Sequence, residues 1–587
     1  MKYKLYKEEQ QSTALQQILY NRGIPLEKQE EWLNAGWPQI NDWSLFGLNK
    51  MACAVNMIKG AVETKSNMLV VVDPDCDGFT SSAIFINYMY KIYPDYTSQH
   101  ISWILHTGKE HGLSDLIDQI PENIDIVICP DAASNDKKQF EILANKNIKV
   151  ICLDHHECDE DSDIAIIINA QISEYPNKAL TGAGVTWQFC RAYDELYPDA
   201  EDGSPHANDF LDLCALGNCG DMANYKELEI RAIMNLGLSN ITNPFFYAMS
   251  TKNKYSIDKM NGINYYSMAF YVVPFINAIV RSGTQEEKET VFKSMLLEYS
   301  FNKVESSKRG HKGEEVPLYD EAVLVAERVK RRQTKLQDET MILLDQKIKQ
   351  ENLLENAIII CTCNPGEVEK NLAGLVANKL QAKYQKPCLV LTKNKSFNDK
   401  EYFFRGSSRN YSQSELQDLK SICESTNDIE FAAGHANAFG IGIAESQLED
   451  FIQKTNKIYK DIDQTPVYWV DYIWNNQTID AQKILDIADF TIYGQEIPES
   501  YICLDRVYFT PNDVKLMGLE KGHPTLKIQV GNVSLIKFKS TEEEYQKFLE
   551  PNRVLTAICK CNKNEWNGIV SPQLIVEDYT LEEEWIF

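Results

Sequence analysis

Met68-Leu69-Val70-Val71-Val72-Asp73-Pro74-Asp75-Cys76-Asp77-Gly78 is the stretch on which the fold turns. Five apolar residues bounded by Asp and Pro are too few for a helix, and the Val-rich run fits a strand buried on both faces. The chain then turns at Gly78 and resumes as an apolar, helix-like segment over residues 82–90. The unit recurs at residues 124–129, ending in Pro130-Asp131, and at residues 148–153, ending in Asp154-His155-His156. Three buried strands with helical spacers, each finishing in an acidic or histidine loop, predict a parallel α/β sheet whose carboxyl edge carries the chemistry. A fourth acidic loop is expected at Leu216-Gly217-Asn218-Cys219-Gly220-Asp221, after another apolar segment.

Working outward, residues 1–65 read as a helical lead-in, with Leu15, Ile18 and Leu19, then Met51, Val55, Ile58 and Val62, at helical spacing. The sheet domain occupies residues 66–300. Residues 301–355 form a linker whose Gly- and Pro-free stretch, 318–352, predicts one long bridging helix. A smaller α/β domain follows over 356–460, with strands at 357–361 and 387–391 around a helix. Short alternating runs at 525–530, 533–538 and 554–559 place a small β-barrel within 465–587. The fold class is therefore α/β multidomain.

Composition narrows the function. The chain of 587 residues is 44% apolar and 25% charged, which excludes a largely disordered or fibrous protein. No run reaches the roughly 18 uncharged apolar residues of a membrane span, so no membrane partner and a cytoplasmic location are expected. Fifteen scattered cysteines form neither a disulfide framework nor a paired zinc site. With 59 basic and 85 acidic residues the net charge is −26, which argues against indiscriminate coating of nucleic acid but leaves room for a local basic channel.

Three carboxylates at alternate positions, Asp73, Asp75 and Asp77, converge on a cation if the loop is tight. The segment after them is apolar and lacks the Glu of a calcium loop. Solvated loop acids are the plainer alternative. Asp154-His155-His156-Glu157 is more specific, because two imidazoles flanked by acids after a strand suit ligation or acid/base work. With Asp131 and Asp221 the set is mostly oxygen with some nitrogen, which suits Mn²⁺ or Mg²⁺ better than a thiolate-preferring metal. Two such ions would serve phosphoryl hydrolysis.

These residues resemble the motifs of the DHH phosphoesterase superfamily, and the rest of the chain resembles its RecJ branch of single-strand-specific 5′ exonucleases. Thr181-Gly182-Ala183-Gly184 and the helix after it, Asp212 through Asp221, and Pro274 through Arg281 are similar to three further family segments. Arg405-Gly406-Ser407-Ser408-Arg409 and Gly434-His435-Ala436 resemble the associated DHHA1 domain, and Asn564 through Asp578 the end of the RecJ OB-fold. The resemblance names the expected domains: DHH over 66–300, DHHA1 over 356–460 and an OB-fold over 465–587.

The resemblance implies that Asp75, Asp77, Asp131, His155 and Asp221 hold two Mn²⁺ or Mg²⁺ ions, that Asp73 and His156 support catalysis with Asp131 and His155, and that Asn277, Arg281, Ser407, Arg409, Gly434 and His435 contact substrate. Its activity would be 5′→3′ degradation of single-stranded DNA to 5′-mononucleotides in repair, recombination or replication, with a single-strand-binding protein or helicase as partner. The alternatives are an RNA or short-oligonucleotide phosphodiesterase and a noncatalytic scaffold of a replication complex. Trp566 and Phe538 are candidate base stackers, although a place in the barrel core is the commoner reading of such aromatics, and Lys537, Lys539, Lys330, Arg331 and Arg332 are candidate strand contacts, although such basic runs are usually solvated faces. Three departures stand out. Ala133 replaces a family glycine, the Arg ahead of the family's GYGL element is represented by His106 or Lys109, and the family's GGHA is here Ala433-Gly434-His435-Ala436.

Overall fold

The structure, a computed structural model, describes residues 1–108, 110–198, 204–311, 313–395, 402–460 and 462–584. Lys109 lies outside the described residues. The chain forms two compact units, the first built from Ile24–Gln333 with Thr491–Pro498, the second from Met1–Gly23, Thr334–Phe490 and Glu499–Phe587.

The first unit holds a five-stranded, wholly parallel sheet in the order Ile101–Leu105, Met68–Val72, Ile126–Pro130, Lys149–Asp154, Ile166–Asn169. Met68–Val72 and Ile126–Pro130 are buried at every position, as strands covered on both faces must be. The strand that comes first in the chain lies second in the sheet, so the chain reverses direction across the sheet between Met68–Val72 and its neighbours. At such a switch point the connections diverge to opposite faces and leave a crevice at the carboxyl edge. Asp73 and Asp131 follow the two strands that flank it.

The second unit contains a five-stranded sheet ordered Phe431–His435, Ala438–Ala444, Tyr402–Arg409, Cys388–Lys395, Ile359–Cys363, in which only the last pair is parallel. It also contains a seven-stranded mixed sheet ordered Tyr472–Trp474, Ile502–Tyr508, Arg553–Trp566, Ile569–Glu583, Val533–Phe538, Thr525–Val530, Val514–Met517. Its runs are not all short, since Arg553–Trp566 and Ile569–Glu583 form a long hairpin turning at Asn567 and Gly568, both at positive φ. The predicted bridging helix is Leu318–Gln350. Near its middle Arg332 pairs with Glu287, both within the first unit, and near its end Leu344 and Ile348 enter a core with Ile359 and Cys361 of the second.

Residues 1–65 are not wholly a helical lead-in. Lys2–Leu5 is a strand paired in parallel with Val467–Val470. Behind it, Arg22 makes a bidentate, fully buried ion pair with Asp471, at 2.8 and 2.9 Å, and Asn21 donates to the same carboxylate. The predicted acidic loop at 216–221 is also corrected. Leu211–Gly220 is a buried helix, and Asp221 is the residue that ends it. Among the described residues no helix is long and apolar enough to cross a membrane.

Candidate active site

The alternation of Asp73, Asp75 and Asp77 is broken by a helix start rather than continued as a strand. Asp75 caps the helix Cys76–Ile92, accepting from the Gly78 amide at 2.9 Å, and Asp77 falls in its first turn. Asp77 is also at the start of a second helix, Gly182–Leu196, whose Gly182 and Ala183 amides donate to its two oxygens at 2.7 and 3.0 Å. Both helix starts favour negative charge there. Gly182 is required at its position, because a Cβ would stand 2.4 Å from Asp131 Cβ and Oδ1.

Asp131 leaves its strand at φ 66°, in the left-handed region, with its amide donating to Leu153 O at 2.8 Å. That conformation turns its carboxylate into the crevice. His155 Nε2 lies 3.2 Å from Asp131 Oδ1, 3.7 Å from Asp221 Oδ2 and 3.9 Å from Asp77 Oδ2. Single ligand atoms of Asp77, His155 and Asp221 lie within 4.8 Å of one another, as do those of Asp131, His155 and His156.

Asp131 Oδ1 and His155 Nε2 are buried and, among the described residues, have no hydrogen-bond partner. Buried polar atoms are rarely left so. Burial, then repulsion by Asp75, pushes Asp77 up to about 7, against the pull of the Ala183 and Gly182 amides. Burial pushes Asp221 up to about 6, and burial with the charge of Asp77 carries Asp131 well above the carboxylate range. Burial lowers His155, which keeps its ring neutral and its lone pair available. Crowded carboxylates beside a neutral imidazole, two of their atoms orphaned, are a donor set that fits divalent cations.

Two further imidazoles flank this centre, each held from behind by a buried carboxylate. Asp154 accepts from His156 Nδ1 at 2.8 Å, and Asp73 from His111 Nδ1 at 2.5 Å. Hydrogen bonding to Asp154 raises His156 to about 9. Burial alone would raise the Asp154 carboxyl, but His156 outweighs it and holds the group below its ordinary range.

In the second unit, Ser407 and Arg409 stand two residues apart on one strand and so share a sheet face. Gly374, in the first turn of the helix Ala373–Tyr384, lies against them. A Cβ there would come within 2.7 Å of Arg409 Nη2 and 3.4 Å of Ser407 Oγ. His435 occupies the same cross-strand row as Arg409, through Ala438, and Gly434 precedes it at φ 124°. A hydroxyl, a guanidinium and a helix start side by side form a cradle for an anion.

Two family models match the chain, the DHH family N-terminal domain over residues 67–218 and the RecJ OB domain over residues 470–578. YorK, an SPbeta prophage-derived protein of Bacillus subtilis named as a single-strand DNA-specific exonuclease, is 33% identical over 571 residues, covering 96% of this chain and 95% of YorK. The chain belongs to the RecJ family. The Bacillus subtilis RecJ, a single-stranded-DNA-specific exonuclease by name, is 24% identical over 92% of this chain and 65% of its own length. The crystal structure of Thermus thermophilus RecJ with Mn²⁺ shares the fold, with a TM-score of 0.69 at 16% identity over 97% of this chain and 76% of that one.

Within this RecJ-family chain, the residues singled out in the sequence divide between the units. Asp73, Asp75, Asp77, Asp131, His155, His156 and Asp221 converge in the first. Asn277 and Arg281 are in the same unit, one helical turn apart on Val273–Ser282, and Asp75 opposes the lowering of Arg281 by burial. Ser407, Arg409, Gly434 and His435 are in the second. Phe538 and Trp566 are 56% and 73% exposed, so neither belongs to a core. Lys537 is paired with Glu544, and Arg332 with Glu287.

His106 does not stand in for an arginine. Its ring is buried against Asp115, and its carbonyl accepts from Lys288. Sequence reading missed His111, five residues further on, because an isolated His in a loop carries no periodic signal. It missed Gly374 because a helix start announces no ligand.

Proposed function

We propose that this chain is a divalent-metal-dependent 5′→3′ exonuclease that degrades single-stranded DNA to 5′-mononucleotides, acting in the cytoplasm in repair, recombination or replication. The observation that carries the proposal is the orphaned pair Asp131 Oδ1 and His155 Nε2 amid carboxylates that burial has driven up. The names of relatives aligned along most of the chain support the choice of substrate.

Asp75, Asp77, Asp131, His155 and Asp221 hold Mn²⁺ or Mg²⁺. When bound, such ions polarise a phosphoryl oxygen and acidify a water. The chain's own residues do the rest. Asp154 fixes the ring of His156 and favours its protonated form, and the side chain is half-exposed, so it can donate to the scissile phosphate. Asp73 fixes the loop beside the acidic centre, through His111 and the Gly112 amide. Arg281 and Asn277 contact the strand near the acidic centre. Ser407, Arg409, Gly434 and His435 hold a terminal phosphate, and recognition of an end makes the enzyme an exonuclease. Phe538 and Trp566 supply exposed rings for stacking.

The test is digestion of 5′-labelled and 3′-labelled single strands with Mn²⁺, beside matched RNA and duplex. Expected is immediate mononucleotide release from the 5′ label, lost in Asp131→Ala and His155→Ala. Tight strand binding without turnover on any substrate would overturn the proposal in favour of a scaffold. Adding a single-strand-binding protein or a helicase tests the partner. Unchanged turnover on coated or unwound strands would remove it.

A further inference from the structure

His111 is the exposed member of an Asp–His pair that matches the pair containing His156. In each, a carboxylate at a strand end is buried, at 0% for Asp73 and 1% for Asp154, and accepts from Nδ1 of an imidazole about half exposed, at 57% for His111 and 50% for His156. The two rings lie 6.4 Å apart, centre to centre. Two ring donors this close can converge on one phosphate from the same side, each about 2.8 Å from an oxygen.

The loop that carries His111 is fixed rather than draped. Gly112 donates to the other oxygen of Asp73 at 3.4 Å, and Leu113 donates to Asp136 at 2.7 Å. Gly112 has φ 74°, and a Cβ there would stand 2.4 Å from Asp136 Oδ2. With Nδ1 committed to Asp73, Nε2 is the one polar atom left on a side chain that is more than half exposed. The hydrogen bond to Asp73 also favours the protonated ring.

We propose that His111 contacts the phosphodiester through Nε2, bracketing with His156 the phosphate that the acidic centre acts on. This deepens the exonuclease reading and rests on it. His111 is then a substrate-contacting residue, supplied by a loop that the acidic motifs do not include.

The test uses the full chain and separates the two ring nitrogens. His111→Asn retains a donor where Nδ1 stands, so the bond to Asp73 survives, but it has nothing at Nε2. His111→Gln places a donor near Nε2. Expected for His111→Asn is an unchanged melting temperature and Mn²⁺ affinity by calorimetry, with single-turnover cleavage slower by about 10²-fold. His111→Gln should recover part of that loss. Wild-type cleavage by His111→Asn, or weakened Mn²⁺ binding, would overturn the proposal by making His111 a prop for Asp73 or for the ions.

A second readout needs no turnover. Anisotropy titrations compare a single-stranded oligonucleotide with versions carrying one neutral methylphosphonate linkage at successive positions from the 5′ end, on wild type and on His111→Asn. At one linkage the two changes should be coupled, each abolishing the effect of the other. Additive effects at every linkage would overturn the proposal even if the protein cleaves nothing. The Asp131→Ala control reports on the exonuclease reading separately.

Discussion

The acidic centre of the first unit and the proposed phosphate grip of the second are treated by folding in opposite ways. Asp77 and Asp131 are sealed at 1% exposure, and burial and mutual repulsion drive their carboxyls upward. His435, Gly434 and Ala433 are exposed on a sheet edge, and Ser407 and Arg409 are only partly covered. A buried cluster of like charges stores a cost that only a cation or protons relieve, so its chemistry is tied to stability. An exposed face carries no such cost.

The strongest way to break this contrast is Asp131→Asn. Cleavage should fall by about 10³-fold, while the metal-free protein gains thermal stability and loses its stabilisation by Mn²⁺. Calorimetry with and without chelator reads both. A metal-free protein that becomes less stable would mean the carboxylate is compensated within the fold.

The double variant Ser407→Ala/Arg409→Ala should act differently, raising KM by about 10- to 100-fold with kcat and melting temperature nearly unchanged. Steady-state kinetics on short 5′-phosphorylated strands separates the two constants. A fall in kcat alone would remove the division between chemistry and grip.

The pH dependence of the metal-free protein sharpens the comparison further. Asp77 and Asp221 have folded-state values raised from 3.8 to about 7 and about 6, so the native state binds protons that the unfolded chain has released. Their contribution is fully present below about pH 4 and is lost as pH rises through 6 to 7. In chelator, the melting temperature of the first unit should drop by about 5 °C between pH 5.5 and 7.5. Mn²⁺ should restore more at the higher pH. A melting temperature that rises over this interval would contradict the direction of these shifts.

The smallest effect concerns Ala133. The backbone keeps the left-handed conformation that a glycine there would favour, at φ 80°, so the replacement leaves strain in place rather than moving the chain. Ala133→Gly should stabilise by about 0.5–1 kcal/mol, measured by urea denaturation, without altering cleavage.

Much of the first unit was legible because its signals are local. A run such as Met68–Val72, followed by a helical segment and then another such run, is the pattern of a parallel sheet covered on both faces, and such sheets put the loops after their strands at one edge, so the acids after successive strands had to meet. The helical nature of Leu211–Gly220 was not legible, because a short apolar run looks the same in a buried helix and a buried strand. His111 was not legible either, since its meaning comes from Asp73, thirty-eight residues earlier in the chain.

By itself the sequence determined the parallel sheet, the long helix and the set of carboxylates and histidines at the sheet edge, because periodicity and strand-end chemistry act over a few neighbours. Only the tertiary structure decided that residues 1–23 belong with the carboxyl-terminal part of the chain, through the strand pairing of Lys2–Leu5 and the buried Arg22–Asp471 pair. It alone decided that Asp131 Oδ1 and His155 Nε2 stand 3.2 Å apart, buried and with no hydrogen-bond partner among the described residues. Both are products of burial and long-range pairing, which depend on what the whole chain brings together.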